Sequence, residues 1–371
     1  MAEPIRVAHV MGKMVGGGVE AVVMNYYRHV DRSKVQFDFL IDSDSTLVPR
    51  EEIASLGGRV FEVPPYQHVI EYQRELHRLF KQEGWKIVHS HINALSIFPL
   101  RAAKRAGVPV RIAHSHSTSG RGEHARNAMK AVLRRFSNVY PTHRMACSRH
   151  AGEWLFGQDA DFELVYNAID LSRFAFDPGV RTKVRDELGL SDGQFAIGHA
   201  GRFMTQKNHG FLIDVFAEVA RRRDDAILLL VGDGEERPAV ERKVADHCLE
   251  GRVRFLGQRS DVDRLYQAFD VFVLPSLYEG LGMVAIEAQR AGLPCLLSDA
   301  ITREVDLTEK CTFLPIGDSE VWADAICALK SIGEAARLAD SSSGFIDYDI
   351  RQQGEWLTGK YKGLYQGVAR G

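Results

Sequence analysis

Two glutamates eight positions apart, Glu279 and Glu287, flank a glycine-containing turn that follows an apolar segment, Val271–Leu274. Gly280 and Gly282 allow a tight turn and leave free N–H groups at the start of the next helix, where a phosphate is stabilised. The Glu287 carboxylate can accept hydrogen bonds from both hydroxyls of a ribose. For a generic pair at this spacing, two solvated charges on a helix face are the usual alternative. The strand–turn–helix context favours a nucleotide site.

Two cations, Arg202 and Lys207, lie in a second loop between a strand, Phe195–His199, and a helix. A sugar diphosphate needs such cations because charge develops on the departing nucleotide and must be neutralised. Taken alone, an arginine and a lysine in a loop are usually surface charges. Their coincidence with the glutamate–glycine segment favours a role at the same site.

Three contiguous glycines, Gly16–Gly18, precede Glu20 in the first strand-to-helix loop. They depart from the G-x-G-x-x-G fingerprint of dinucleotide-binding proteins, so a hydride-transfer cofactor is not favoured. Two interpretations stay open for this loop. It either lets a phosphate or sugar approach the backbone closely or is merely a tight turn.

Four histidines follow two strands of the N-terminal half, as His89-Ser-His91 and His114-Ser-His116. Ligands collect at this edge of a parallel sheet, so one of the four is a candidate for substrate contact. His114 and His116 alternate on one strand and share a face, which would suit a metal pair, but the linear sequence shows no third ligand. No metal is therefore predicted, and at least two of these histidines are expected to be structural.

Short β-branched runs alternate along the chain with segments of helical period, which is typical of parallel α/β layers. The pattern occurs twice and predicts two doubly wound sheets. Strands are predicted in the N-terminal half at Ile5–Val10, Val35–Ile41, Arg59–Val63, Ile87–Ser90, Val110–His114 and Arg144–Ala146, and in the C-terminal half at Phe195–His199, Ala226–Val231, Val253–Leu256, Val271–Leu274 and Pro294–Leu297.

Two further segments define the predicted organisation. Val165–Gly179 lacks regular periodicity, ends in Asp-Pro-Gly and is predicted to connect the domains. The stretch Ile350–Tyr365 is predicted to form an amphipathic helix. We therefore expect an N-terminal domain at 1–170, a C-terminal domain at 171–345 and a terminal helical segment at 346–371.

Composition excludes several classes of protein. The 371 residues are 45% hydrophobic and 26% charged, which excludes disordered and fibrous chains, and the net charge of -2 disfavours a nucleic-acid partner. The five cysteines are odd in number and show no C-x-x-C spacing, so a cytoplasmic location is expected. With no run of 18 apolar residues, any membrane contact is expected to be peripheral, through basic stretches at Arg101–Arg111 and Lys130–Arg135.

These residues together resemble the retaining glycosyltransferases of family 4, which have the GT-B architecture of two Rossmann-like domains facing a central cleft. The similarity covers most of the chain. Two departures are Asn167-Ala168, where most relatives have Asn-Gly, and Leu281, where the family often has Phe. The resemblance rests on Gly16–Glu20, His114–His116, Asn167–Asp170, Gly201, Arg202, Lys207, Gly232–Gly234 and Glu279–Glu287, the last matching the family's E-x7-E motif.

The resemblance implies roles for individual residues. Arg202 and Lys207 would hold the donor diphosphate, Glu287 the ribose and Glu279 the hydroxyls of the transferred sugar. The histidine that contacts this sugar would be His116 or His114, and His116 is favoured. The predicted catalytic residues are thus His116, Glu279, Arg202 and Lys207. The predicted donor-binding residues are Gly17, Gly18, His114, Gly201, Arg202, Lys207, Gly232, Arg259, Glu279, Gly280, Leu281, Gly282, Met283 and Glu287.

The resemblance also implies an activity. The N-terminal domain would bind the acceptor, the C-terminal domain the donor, and the last helix would cross back to the first domain. A hexose would pass from a nucleotide sugar, with a UDP-sugar expected, to a saccharide or lipid-linked acceptor in surface polysaccharide assembly. The anomeric configuration would be retained, without metal or cofactor. The alternatives are a sugar-nucleotide epimerase of the same architecture and, less favoured, a non-catalytic sugar-nucleotide-binding protein.

Overall fold

The computed structural model describes residues 3–116, 131–331, 333–338 and 342–369. The chain divides into two compact units, Met1–Ile169 with Asp347–Gly371, and Asp170–Ile346. Each unit contains one wholly parallel sheet. This confirms the predicted fold class of two doubly wound, Rossmann-like domains. No helix in the described ranges is both long enough and apolar enough to cross a membrane.

The first unit is built on a seven-stranded sheet of order β3-β2-β1-β4-β5-β6-β7. Its strand order reverses between β1 and β4, the position where open α/β sheets bind ligands. Every residue of β2 is buried, as expected for a strand covered on both faces. The elements are β1 Ile5–Gly12, α1 Gly18–His29, β2 Val35–Asp42, α2 Arg50–Ser55, β3 Arg59–Val63, α3 Val69–Glu83, β4 Ile87–Ser90, α4 Ile97–Ala106, β5 Val110–Ser115, β6 His143–Ala146, α5 Arg149–Phe156 and β7 Glu163–Leu164.

The last helix of the chain, Ile350–Ala369, packs on the first unit against α1. Gly354 allows this close approach, because a Cβ there would lie 2.8 Å from the His29 carbonyl oxygen. The fully buried Tyr361 places its hydroxyl 2.7 Å from His89 Nδ1. Both the beginning and the end of the described chain therefore belong to one unit.

The second unit is built on a six-stranded sheet of order β10-β9-β8-β11-β12-β13, with the reversal between β8 and β11. A single cluster of buried aliphatic and aromatic side chains covers one face of the sheet. The elements are α6 Leu171–Phe174, α7 Pro178–Glu187, β8 Phe195–Ala200, α8 His209–Arg222, β9 Ala226–Val231, α9 Arg237–Asp246, β10 Val253–Gly257, α10 Val262–Ala268, β11 Val271–Leu274, α11 Met283–Arg290, β12 Cys295–Ser298, β13 Cys311–Leu314, α12 Ser319–Ala328 and α13 Glu334–Leu338; the helix Ile350–Ala369 of the first unit is α14.

The segment predicted to be irregular, Val165–Gly179, contains a helical turn and the start of a helix. Helix α7 begins at Pro178 because the Asp177 side chain accepts a hydrogen bond from Val180 N, and because proline is compatible with the first helical position. The Asp-Pro-Gly triplet is therefore a helix start, and the division between the two units, after Ile169, falls inside this segment.

Candidate functional site

Two loops of the second unit lie together at the switch point of its sheet. One follows β8 and the other follows β11, and these strands are neighbours. Leu277 N donates to the Gln206 carbonyl oxygen at 2.8 Å, and Asn208 Nδ2 donates to the Pro275 carbonyl oxygen at 3.3 Å. Asn208 has φ 57, a left-handed conformation that asparagine tolerates well. These contacts bring the two sequence motifs into one site.

Lys207 and Glu279 form the centre of this site. Lys207 Nζ donates to Glu279 Oε1 at 2.6 Å, and the two side chains are 14% and 8% exposed. Gln206 Nε2 donates to Glu279 Oε2 at 3.1 Å and to the Tyr278 carbonyl oxygen at 2.9 Å. Both carboxylate oxygens are thus engaged, which holds an ammonium and a carboxylate in fixed positions beside the glycine turn.

Gly201 and Gly232 are required by the packing beneath Lys207. A Cβ on Gly201 would lie 3.3 Å from Lys207 Cδ and 3.2 Å from His199 Nε2, so the lysine stem crosses directly over this glycine. A Cβ on Gly232, whose φ is +131, would lie only 2.1 Å from the Gly201 carbonyl oxygen. Gly232 therefore has a structural role in placing the Gly201 loop.

The turn between Glu279 and helix α11 presents a helix N-terminus at the same place. Gly282 has φ +82 and immediately precedes Met283, the first residue of the helix. A Cβ there would have its nearest neighbours 3.7 Å away, so backbone conformation rather than space requires glycine. Leu281 is buried and anchors the turn. The first amide groups of the helix lack partners within it and can bind an anion.

Glu287 lies in the second turn of α11 and is half-buried. The Tyr266 hydroxyl donates to Glu287 Oε2 at 2.9 Å and lies 3.2 Å from the Val284 carbonyl oxygen. Burial raises the pKa of Glu287 to about 7, although the Tyr266 hydrogen bond and the charges of Arg173 and Lys207 act to lower it. Glu287 is thus within electrostatic reach of Lys207, and its charge changes near neutral pH.

The structure does not bring every predicted residue to this centre. Arg202 is exposed, and its guanidinium makes no ion pair with any residue that the structure describes. Arg259 donates from Nε and Nη2 to the two carboxylate oxygens of Asp261, at 2.8 and 2.7 Å. Arg202 is consequently free to reach an anion, whereas Arg259 would have to leave Asp261 first.

The glycine loop of the first unit is closed by Glu20. Gly17 N donates to Glu20 Oε2 at 2.6 Å, and Val15 N donates to Oε1 at 2.9 Å. Gly16 has φ +79 and so makes the turn, while a Cβ on Gly18 would meet no atom within 4 Å. The Gly17 amide is therefore occupied by a carboxylate, and only Gly18 offers open space.

Five buried histidines cluster at the carboxyl ends of β1, β4 and β5. The ring nitrogens His9 Nδ1 and His91 Nε2 lie 2.9 Å apart, as do His91 Nδ1 and His116 Nε2. His89 Nε2 lies 3.0 Å from His114 Nδ1. Burial lowers the pKa of both His9 and His116 to about 3, so the cluster is neutral at physiological pH. His114 and His116 therefore belong to one network, and we name these five residues the histidine cluster.

Sequence reasoning missed four residues that shape these sites: Gln206, Tyr266, His199 and His9. His199 Nδ1 donates to the Val273 carbonyl oxygen at 2.8 Å, leaving a buried Nε2 without a partner in the described structure. His9 meets the other histidines only through the pairing of β1 with β4, whose register places His9 opposite His89, so the linear sequence gives no signal for it. Gln206 and Tyr266 likewise carry no signal in the sequence.

Comparisons with known families agree with the two-unit organisation. Residues 17–167 match the family described as "Glycosyl transferase 4-like domain". Residues 194–331 match the family described as "Glycosyl transferases group 1". The two matches fall in different units.

Individual relatives cover nearly the whole chain. EpsF of Bacillus subtilis (strain 168), named as a glycosyltransferase, is 38% identical over 362 residues, covering 94% of each chain. The Escherichia coli UDP-Gal:alpha-D-GlcNAc-diphosphoundecaprenol alpha-1,3-galactosyltransferase is 29% identical over 80% of this chain and 79% of its own. These names give no support to the epimerase alternative.

Solved structures show the same fold at low sequence identity. Anabaena HepE, crystallised with UDP and glucose, has a TM-score of 0.78 with 19% identity, covering 97% of this chain and 100% of its own. The glycosyltransferase WaaG, involved in lipopolysaccharide biosynthesis, has a TM-score of 0.73 with 17% identity, covering 95% and 98%. The chain belongs to the group 1 (family 4) glycosyltransferases of GT-B fold, and it is a hexosyltransferase.

Proposed function

We propose that the chain transfers a hexose from a UDP-sugar to a hydroxyl of a saccharide or lipid-linked acceptor in surface polysaccharide assembly. The observation that carries this proposal is the Lys207–Glu279 pair beside the amide groups of α11. UDP is favoured because HepE was crystallised in complex with UDP and because the name of the Escherichia coli relative specifies UDP-Gal. The latter name also specifies a diphosphoundecaprenol-linked acceptor.

The roles of the donor-site residues follow from their charge and position. Lys207 neutralises the diphosphate, together with the amide groups at the start of α11 and the exposed guanidinium of Arg202. Glu279 accepts hydrogen bonds from hydroxyls of the transferred sugar. Glu287, in its ionised form, accepts from the ribose hydroxyls. Sugar contact by His116 or His114 stays a prediction.

We propose that transfer retains the anomeric configuration without a metal ion at the donor site. The bond between the anomeric carbon and the diphosphate oxygen breaks, and the acceptor oxygen bonds to the same face of that carbon. The acceptor proton passes to the departing phosphate oxygen, so no carboxylate nucleophile is required. Lys207 stabilises the negative charge that develops on the leaving group, a form of stabilisation that is often the largest part of catalysis.

The donor site is tested by thermal unfolding with UDP, GDP, ADP and their sugars, comparing the wild type with Lys207→Ala. We expect the uridine ligands alone to raise the melting temperature and Lys207→Ala to abolish the effect. Lys243→Ala is a matched control because Lys243 also pairs with a carboxylate, Asp214, in the same unit. The proposal fails if no nucleotide stabilises the wild type or if Lys207→Ala responds normally. Product formation that requires an acceptor distinguishes transfer from epimerisation.

The acceptor is proposed to bind the first unit, in a groove beside the glycine loop. This groove has a volume of about 510 Å³, and the residues that line it include Met14, Gly17, Met24, Leu47 and Pro49. Leu47 is 49% exposed, so it is available to an acceptor with apolar parts. We expect Leu47→Glu to raise the acceptor KM without changing donor binding.

Peripheral membrane contact is proposed through an exposed surface of the first unit. Val132, Phe136 and Val139 are 58%, 48% and 53% exposed, and Arg134 and Arg135 are exposed beside them. Apolar side chains flanked by arginines suit an anionic bilayer surface. Lys130, part of the basic stretch predicted to make this contact, lies outside the described residues.

Flotation with phosphatidylcholine vesicles containing phosphatidylglycerol tests the membrane contact, with pure phosphatidylcholine vesicles as the comparison. We expect binding to the anionic vesicles that Phe136→Asp abolishes; equal recovery with both vesicle types would contradict the proposal. The cytoplasmic location expected from the cysteines stays a prediction.

A further inference from the structure

His199 is a fully buried histidine near the end of β8, next to the side chain of Lys207. A Cβ placed on Gly201 would lie 3.2 Å from His199 Nε2 and 3.3 Å from Lys207 Cε. The ring nitrogen and the lysine stem therefore lie close to the same point above Gly201. The fold of the second unit thus places an imidazole against the lysine of the candidate donor site.

The hydrogen bonding of this ring fixes its tautomer. His199 Nδ1 lies 2.8 Å from the Val273 carbonyl oxygen, and because a carbonyl can only accept, the proton is on Nδ1. Burial and the charge of Lys207 lower the pKa of His199 to about 4, although the Val273 hydrogen bond acts to raise it. The ring is therefore neutral near pH 7, and Nε2 carries a lone pair.

This lone pair has no partner in the structure. Nε2 is buried, and no residue in the described part of the chain hydrogen-bonds to it. The ring of His209 packs edge to face against that of His199, with centroids 4.6 Å apart, but makes no hydrogen bond with it. Buried polar atoms are almost always hydrogen-bonded, so an acceptor without a donor beside a ligand site needs an explanation.

Lys207 has the complementary property, because its ammonium carries more donors than one acceptor can use. An ammonium has three N–H bonds, and in this structure Nζ donates to Glu279 Oε1. A bound diphosphate would accept from the second. The Lys207 side chain is 14% exposed, and a donor covering it would exclude water from the third. That N–H then needs a protein acceptor, since a buried donor without one costs free energy.

We propose that His199 is a positioning residue of the donor site, whose Nε2 accepts a hydrogen bond from the Lys207 ammonium when the nucleotide sugar is bound. This role rests on the proposed function, because it requires Lys207 to hold the diphosphate. The lysine stem already crosses Gly201, so the contact requires a rotation about its terminal bonds and no movement of the backbone. His199 acts through Lys207 and does not itself contact the donor.

A neutral acceptor suits this position better than a second carboxylate. A carboxylate would orient the ammonium but would also offset its positive charge, which the departing diphosphate requires. A protonated imidazole would repel the ammonium. The neutral ring of His199 orients Lys207 and leaves its full charge available to the phosphates.

Two substitutions separate this role from a purely structural one. In His199→Asn the side-chain amide can replace Nδ1 and donate to Val273, but no atom takes the place of Nε2. In His199→Gln the amide reaches the place of Nε2 and offers a carbonyl oxygen as acceptor, while the Val273 hydrogen bond is lost. If His199 only joins two strand ends, Asn is the better replacement. If it positions Lys207, Gln is the better one.

Calorimetry of the full chain with UDP at neutral pH measures the effect. We expect His199→Asn to weaken UDP binding about 10–100-fold, the usual effect of losing a hydrogen bond to a charged group. His199→Gln should bind UDP within about threefold of the wild type. Uridine, which has no phosphate, should compete equally well in both variants, because Lys207 is proposed to contact the diphosphate and not the nucleoside.

Lys207→Ala distinguishes failure of this role from failure of the donor site. If Lys207→Ala loses UDP binding but His199→Asn keeps it, the donor site stands and the role of His199 is refuted. The role is also refuted if His199→Asn binds UDP no more weakly than His199→Gln, or if both variants lose uridine as well. A wild type that binds no nucleotide overturns both proposals. Circular dichroism checks folding, and His199→Phe, whose ring has no lone pair, replaces His199→Asn if that variant does not fold.

Discussion

Lys207 Nζ and Glu279 Oε1 lie 2.6 Å apart although 72 positions separate them in the chain. The contact joins the loop after β8 to the loop after β11, on the two strands where the sheet of the second unit reverses its order. Because both side chains are largely buried, the pair is not a solvated surface ion pair of negligible energy. It fixes the positions of a cation and an anion before any ligand arrives.

Removal of the Glu279 charge should reduce transfer more than donor binding. In Glu279→Gln, Lys207 loses its partner but keeps its own charge, so it can still hold a diphosphate. We expect kcat to fall about 10²–10³-fold, the usual loss when one preorganised polar contact is removed, while the donor KM changes less. Steady-state kinetics measure both constants. Glu241→Gln removes an exposed carboxylate that pairs with Arg237 and should leave them unchanged; unchanged kcat in Glu279→Gln would refute the assigned role.

Donor binding should weaken as the pH falls through 7. Burial raises the pKa of Glu287 from its usual 4.5 to about 7, and the proposed ribose contact needs the ionised form. The apparent affinity should therefore be nearly constant above pH 8 and fall about tenfold for each pH unit below 7. Calorimetry with a nucleotide sugar is suitable because its diphosphate gains no proton in this window. In Glu287→Gln the affinity should be lower and independent of pH; a flat profile in the wild type would contradict the prediction.

The histidine cluster should make the first unit sensitive to acid. The pKa of His9 and of His116 is about 3 when folded and near 6.5 when unfolded, so the unfolded chain binds more protons between these values. The free energy of unfolding should thus be fully retained above pH 6.5 and decline below it, by up to about 1.4 kcal/mol per pH unit for each histidine. Glu287, with its raised pKa, acts in the opposite sense.

Chemical denaturation at several pH values between 7 and 5 measures how the free energy of unfolding changes with pH. This range lies above the one where most carboxylates protonate. His9→Phe should reduce this pH dependence by about one proton, because a ring of similar shape replaces a titrating one beside Phe37. His68→Ala, at an exposed position, should not change it. An equal slope in His9→Phe and the wild type would show that His9 is not the group responsible.

Gly232→Ala should destabilise the second unit. The new Cβ would lie 2.1 Å from the Gly201 carbonyl oxygen, at a φ of +131 that other residues rarely adopt. We expect a loss of about 2–4 kcal/mol in the free energy of unfolding, together with weaker donor binding through the displaced Lys207 loop. Gly193→Ala is the control, because a Cβ there meets no atom within 4 Å. Thermal unfolding compares the two; equal melting temperatures would disprove the steric argument.

Most of the sheet architecture could be predicted from the sequence. Buried parallel strands are often continuous apolar runs, so Ala226–Val231 and Val271–Leu274 were predicted with the observed bounds. The short edge strands Glu163–Leu164 and Cys311–Leu314 were not predicted, because strands of two and four residues with exposed positions lack an apolar run.

The candidate site was predictable where one local motif contains it and not where the fold assembles it. The glycine turn and its two glutamates lie in one short segment directly after a predicted strand, so the sequence alone shows them together. The histidine cluster depends instead on strand order, which places β1 beside β4 and β4 beside β5. No linear spacing shows that His9 meets His91.

The packing of α14 on the first unit has a consequence for biosynthesis. Tyr361, which contacts His89, and Gly354, which lies against His29, leave the ribosome only after the whole of the second unit. The first unit must therefore wait without the helix that packs against α1 while the intervening 177 residues, Asp170–Ile346, are translated. A nascent chain of this kind exposes apolar surface early, and its first unit finishes folding only after the last helix has been made. We therefore expect chaperones to bind it during synthesis.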